Sequence, residues 1–303
     1  MRNWRLIAEA KRNPANPDVK GVPRRRVLEL FPQAKVSILR KVTLVLPGIG
    51  GLAGEDAACQ DRFERASLIH GRDRGDRQNM GGYRASASLL QPHRYMAHQE
   101  KEREFLKILS RFDFAAIQSK TLLEIGAGFG ANILQFLRWD FLPENMTAND
   151  CMPDRCAHAR KILPTSIRVI ERNALDLDLP ENSFDIILAS TVFTSILDRE
   201  FQQRLAIKIW SLVKPGGAVL WYDFVFDNPD NPDVKGVPRR RVLELFPQAK
   251  VSVLRKVTLA PPIARAVCRL HPRLYSAFNL FPFLRTHLVG WLEKPSSKPA
   301  ANL

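Results

Sequence analysis

Cysteine is scarce in this 303-residue chain: Cys59, Cys151, Cys156 and Cys268 are the full set, and no two form a C-x-x-C pair. A disulfide-built fold is excluded, and six histidines at scattered spacings give no partner set for a structural zinc, so no metal is expected. Long apolar runs are lacking as well. The stretch Val42–Gly54 is broken by Pro47 and four glycines, and the apolar segment 261–285 is interrupted by Pro282 and ends on Arg285, so neither reads as a membrane span. The opening MRNWRLIAEAKRNP has no apolar signal region, and the expectation is a cytoplasmic protein.

Acidic residues are in deficit, 31 against 46 Lys and Arg, leaving a net charge of +15. An excess of that size ordinarily raises nucleic acid as a partner. Here a duplication inflates it. Residues 13–44 and 228–259 are identical at 30 of 32 positions, differing at Ala15/Asp230 and Ile38/Val253. One copy carries a net +5 and the other a net +4, so nine of the fifteen charges lie in the pair, and no nucleic-acid partner is expected. Copies this alike and this far apart are not solenoid units, which share a pattern at a short period.

From Thr121 onward short apolar runs alternate with amphipathic stretches, the mark of a doubly wound α/β sheet. Strands are expected at 121–128, 145–150, 166–171, 184–190 and 218–224, separated by helical patterns, with KPGG (214–217) as a turn into the fifth. The second copy then finds its place: PRRRVLELF (238–246) suits a crossover helix and KVSVLRKVTL (250–259) a sixth strand. A helical insertion (261–285) and a closing antiparallel edge strand (286–294) complete a Rossmann-like sheet of seven. Ahead of it, HQEKEREFLKILSRF (98–112) places Phe105, Ile108, Leu109 and Phe112 on one face of a cap helix. The first copy has no such setting. It precedes Gly/Asp/Arg-rich sequence (71–82) too poor in apolar residues to pack. The expected organisation is therefore an extension with linker (1–82), a domain (83–295) with its core at 121–260, and a tail (296–303).

The chemistry lies in LLEIGAGFGAN. Glu124 precedes Gly126, Ala127, Gly128 and Gly130 at a strand-to-helix turn, where glycine permits positive φ and close approach of a ligand to the backbone. Twenty residues beyond Gly130, Asp150 ends the second strand, placed to accept hydrogen bonds from a ribose diol. That much fits a nicotinamide dinucleotide or S-adenosylmethionine. The spacing is G-x-G-x-G, not the G-x-G-x-x-G that sets helix amides against a pyrophosphate, and an acid beside the loop repels a diphosphate but tolerates a sulfonium.

Taken with RNALDLDLPENSFDIILAS (172–190) and LVKPGGAVLWYDF (212–224), these blocks resemble the class I S-adenosylmethionine-dependent methyltransferases, particularly the bacterial small-molecule group with the type 11 domain, over about Tyr83 to Pro295. The resemblance implies S-adenosyl-L-methionine as cofactor, with Glu124, Gly126, Ala127, Gly128 and Gly130 at its methionine and ribose portion. It further implies Asp150 on the ribose, Cys151 and Met152 flanking adenine, Asn173 and Ala174 at the adenine edge, and Ser190 and Thr191 beside the sulfonium. Asn149 stands where an apolar residue or glycine is commoner. The acceptor implied is a sugar or secondary metabolite; alternatives are a nucleic-acid methyltransferase or a non-catalytic binder of the cofactor. A nucleic-acid enzyme should carry an Asn/Asp-Pro-Pro-Tyr/Phe run after the fourth strand, where this chain reads STVF.

Methyl transfer from an activated donor demands alignment and exclusion of water before it demands a base. Candidate proton acceptors are Asp223, Tyr222 and His98, with His93 beside them. Phe193 and Tyr95 are candidate walls of the acceptor pocket.

Overall fold

The computed structural model describes residues 89–227, 231 and 233–296. The first copy of the duplicated segment, the 71–82 linker and most of the tail lie outside the described residues.

Seven strands, β1 (Leu122–Ile125), β2 (Met146–Asp150), β3 (Arg168–Glu171), β4 (Phe184–Ser190), β5 (Val213–Phe224), β6 (Lys250–Leu259) and β7 (Arg285–Glu293), form one sheet in the order β3-β2-β1-β4-β5-β7-β6. Pairing is parallel from β3 to β5, and β7 runs antiparallel to both β5 and β6. The helices are α1 (Pro92–Leu109), α2 (Phe114–Ser119), α3 (Ala131–Leu137), α4 (Pro153–Ile162), α5 (Arg199–Leu212), α6 (Arg239–Leu245), α7 (Pro261–Leu270) and α8 (Arg273–Phe278).

Neighbouring strand residues point to opposite faces, and both faces of the central strands are covered, so β1 and β4 are buried along nearly their whole length. Leu122, Ile186, Leu188 and Leu220 meet α1 and α3 through Phe105, Ile108, Ile133 and Phe136. Leu123, Ile187, Val219 and Trp221 meet α5 and α6 through Leu205, Ile209, Val242 and Leu245. Phe193, anticipated as a pocket wall, is fully buried in this second layer against Trp221, ring centroids 4.7 Å apart.

Three expectations need correction. The antiparallel strand is not outermost: β7 lies between β5 and β6, leaving β6 at the edge. The reason is visible in the residues, since THLVGWL is buried along most of its length whereas KVSVLRK has only half-buried and exposed positions and carries cations suited to an edge. The cap helix begins at Pro92, six residues early, because proline is favoured in a first turn, and Phe112 falls beyond its end. The KPGG segment is not a separate turn: Phe184 pairs with Val213 and Ile186 with Ala218, so Lys214–Gly217 bulges within β5.

The second copy supplies α6 and β6. The insertion that follows β6 packs on α1, with Leu259, Ala264, Val267, Cys268 and Tyr275 against Met96 and Ala97. A buried carboxylate locks the junction. Glu100 of α1 accepts from the Thr258 N–H (3.0 Å), from the Tyr275 hydroxyl (2.6 Å) and from the Asn279 side-chain amide.

Candidate functional site

Beyond Ile125 the chain turns through Gly126 (φ +67°) and Gly128 (φ +55°), and Gly130 caps α3. A Cβ added to Gly126 would lie 2.8 Å from Cγ2 of Val192, while one on Gly128 would meet nothing within 4 Å. The first glycine is thus demanded by packing and conformation together, and the second leaves open space above the backbone. The Ala127 N–H, 2.8 Å from the Asn149 carbonyl, ties the turn to β2.

Asp150, buried at the end of β2, closes the other side. Its Oδ2 accepts from the Gly128 N–H (2.8 Å) and its Oδ1 from the Met152 N–H (2.9 Å), with Arg155 Nη1 3.8 Å from Oδ2. A carboxylate offers about four acceptor positions, so each oxygen keeps capacity for a further donor. Asn149, the departure noted in the sequence, does not displace the acid. Its amide donates to the carbonyls of Ile170 (3.2 Å) and Arg172 (2.7 Å) and fastens β2 to the exit of β3.

These groups edge a cavity lined by Ile125, Gly126, Asn149, Asp150, Cys151, Arg155, Arg172, Asn173, Ala174, Thr191, Val192, Ser195, Ile196, Phe201 and Leu205. Of the expected residues it brings together Gly126, Asp150, Cys151, Asn173, Ala174 and Thr191. Met152 contributes its backbone N–H to Asp150, and Ser190 is buried behind Thr191 without lining the space. Asn173 also accepts from the Leu175 N–H at 3.0 Å, a capping bond that fixes its side chain at the rim.

Thr191 is held at φ +56°, in the left-handed region where a β-branched residue costs about 1–3 kcal/mol. Its N–H donates to the Tyr222 carbonyl (2.7 Å) and its hydroxyl to the Ser190 carbonyl (2.7 Å). The surrounding strands hold this strained residue on the cavity wall.

Glu124 does not line that cavity; it points to the α1 side of the sheet. It is fully buried, Oε1 accepts from the Asn132 amide at 2.6 Å, and Oε2 has no partner among the described residues. Lys101, reaching in from α1, donates to Asn132 Oδ1 at 2.6 Å. Burial lifts the Glu124 carboxyl to about 7, Asp150 adding to the rise while Asn132 and Lys101 oppose it. Burial brings the Lys101 ammonium down to about 8 against the pull of Glu124 and Glu102.

The candidate proton acceptors stand apart from the cavity. Asp223 is buried and takes the Thr194 N–H (3.2 Å), the Thr194 hydroxyl (2.6 Å) and the Phe224 N–H (2.9 Å). Burial raises its carboxyl to about 6, yet these bonds make it a clamp on the 193–195 turn, not a base facing a ligand. The Tyr222 hydroxyl pairs with Thr258 Oγ1 (2.8 Å), its ring stacks on His287, and burial pushes the phenol well above its ordinary value. His98 meets Gln135 and is held below its usual value, first by burial and then by Lys101. His93 is half-buried at the start of α1, and Tyr95 is exposed.

Sequence reasoning missed Lys101, Arg155, Arg172, Val192, Ser195, Ile196, Phe201 and Leu205. The arginines carried a signal, standing just past the ends of β2 and β3; Lys101 carried none, because its contact with Asn132 depends on how α1 lies on the sheet.

Residues 122–217 match the family described as "Methyltransferase domain". Among solved structures, the chain is similar to a putative sarcosine dimethylglycine methyltransferase from Galdieria sulphuraria, at 14% identity and TM-score 0.50, over 66% of this chain and 86% of that one. A 1,6-didemethyltoxoflavin-N1-methyltransferase from Burkholderia thailandensis is 18% identical over 82% of this chain and 94% of its own, at TM-score 0.48. The first likeness shows a shared fold. No curated protein matches the chain.

Proposed function

We propose, from the match of residues 122–217 to a methyltransferase domain, that the protein is a class I S-adenosylmethionine-dependent methyltransferase that methylates a small molecule, a sugar or secondary metabolite, in the cytoplasm. When bound, S-adenosylmethionine supplies an electrophilic methyl on a sulfonium. The residues present fit it. Asp150 retains acceptor capacity on both oxygens for a ribose diol, Cys151, Asn173 and Ala174 line the position for adenine with the Met152 backbone beside them, and Glu124, outside the cavity on the α1 side, keeps a buried, unpartnered Oε2 that suits a donor such as the methionine ammonium. Gly126, Ala127, Gly128 and Gly130 shape the backbone between the two, and Thr191, with Ser190 behind it, borders the reacting end.

The observation that carries this reading is the clamped carboxylate of Asp150 beside the glycine turn. What the chain contributes is alignment and exclusion of water, which suffice for displacement from so activated a donor. With Asp223 and Tyr222 committed to buried hydrogen bonds, proton removal is assigned to no single side chain.

Titration calorimetry with S-adenosylhomocysteine tests the cofactor site: wild type binds, and Asp150→Ala loses about 10- to 100-fold in affinity with its fold intact. Release of S-adenosylhomocysteine with sugar and metabolite acceptors, but not with DNA or RNA, tests the substrate class. Turnover on nucleic acid alone would overturn it.

A further inference from the structure

From Leu245 to Leu292 the sequence contains no Asp or Glu, while it carries Lys250, Arg255, Lys256, Arg265, Arg269, Arg273 and Arg285. Within this acid-free stretch the insertion buries one face of α7, with Ala264, Val267 and Cys268, and turns Arg265 and Arg269 to solvent. The chain then presents apolar groups outward: Leu270 is 80% exposed, Leu280 73%, Phe281 50% and Phe283 74%. Phe281 and Phe283 lie together, ring centroids 5.7 Å apart, on a turn at 281–284. Arg265, Arg269 and Arg273 are exposed and form no ion pair with a described carboxylate. Two of them converge with Arg94 near His93, whose pKa is lowered by burial and then by Arg94, Arg265 and Arg269.

Exposed apolar groups and arginines without an ion-pair partner, carried on one stretch of chain that holds no acid, suit an amphipathic anionic boundary. Among the described residues no helix is long and apolar enough to cross a membrane, so the arrangement suits lying on a bilayer. We propose that this face of the insertion docks on an anionic lipid bilayer, Leu280, Phe281 and Phe283 entering the headgroup boundary while Arg265, Arg269 and Arg273 pair with acidic headgroups. The insertion leaves the end of β6, which runs parallel to β1 and β2, so the docked face is at the end of the sheet where Gly126 and Asp150 lie. The inference stands independently of the acceptor's identity.

Co-sedimentation of the full chain with vesicles tests it. Vesicles of phosphatidylcholine alone are compared with vesicles in which a third of the lipid is phosphatidylglycerol, at low and high salt. Binding is expected only to the anionic vesicles and weakens with salt. Leu280→Ser with Phe283→Ser, and separately Arg269→Gln with Arg273→Gln, each lower the partition by about tenfold or more at an unchanged melting temperature. Should the apolar variant fail to fold, the arginine variant decides. Absence of binding to phosphatidylglycerol vesicles, equal binding to both compositions, or wild-type binding by both variants overturns the proposal. So does a dimer in sedimentation velocity that the Leu280/Phe283 variant dissolves, which would give this face to a second copy of the chain.

Discussion

At Gly126 and Gly128 two neighbouring glycines share a left-handed backbone but differ in what surrounds them. Alanine costs about 1–2 kcal/mol at either through φ alone. At Gly126 the added methyl also strikes Val192, so Gly126→Ala is expected to lower the melting temperature clearly more than Gly128→Ala. At Gly128 the methyl enters open space, and the loss should appear instead as weaker S-adenosylhomocysteine binding by calorimetry. Glu124 gives a pH prediction. Its carboxyl titrates near 7 in the fold against an ordinary 4.5, so the folded protein holds more protons than the unfolded one between those values, and this group's contribution to stability falls as pH rises through that window. Glu124→Gln, neutral throughout, should therefore gain stability relative to wild type between pH 5 and pH 8, read by paired thermal melts. The glycines, Asp150 and the acid before the turn were legible in the sequence because their spacing is local. The raised pKa of Glu124 was not, since it arises from burial under α1, with Asp150 adding to it, and burial depends on how the helix lies on the sheet.

At the scale of elements the junction of α1, β6 and α8 turns on Glu100. Three donors from Thr258, Tyr275 and Asn279 converge on one buried carboxylate, and Thr258 is itself held at φ +63°. Removing the acceptor strands them, at about 1–3 kcal/mol for each unsatisfied group. Glu100→Ala should lower the melting temperature by several degrees, and a double-mutant cycle of Glu100→Gln with Tyr275→Phe should show a coupling above about 0.5 kcal/mol. Additivity of the two would show that the latch is not energetically linked. Strand and helix order could be read from alternating runs, and β4 and β6 emerged with the expected limits. The position of β7 could not, because order within a sheet depends on which strand tolerates a solvent edge. Asp223 misled for a related reason: an acid after β5 looks like a base in sequence, and its commitment to Thr194 is a contact across 29 residues.

At the scale of the whole molecule, the two copies of one segment have different sequence surroundings. The second forms α6 and β6, where Val242, Leu245 and Phe246 enter the core, and the domain described here draws its sheet edge from it. We propose that the first copy, with the linker through residue 82, is dispensable for the domain. Deletion of residues 1–82 should leave both the melting temperature and the S-adenosylhomocysteine affinity unchanged; collapse of either would show that the extension is part of the fold. The duplication also tempers the net charge of +15 as a sign of nucleic-acid binding.

The central claim is that the turn after Glu124 and the carboxylate of Asp150 together hold an adenosyl nucleoside. A crystal structure of the protein grown with S-adenosylhomocysteine measures this directly. The account predicts ribose hydroxyls within hydrogen-bonding distance of Asp150, adenine between Cys151 and Asn173, and the amino group at Glu124. A nucleoside bound elsewhere, or Asp150 left without contact to the sugar, would contradict it.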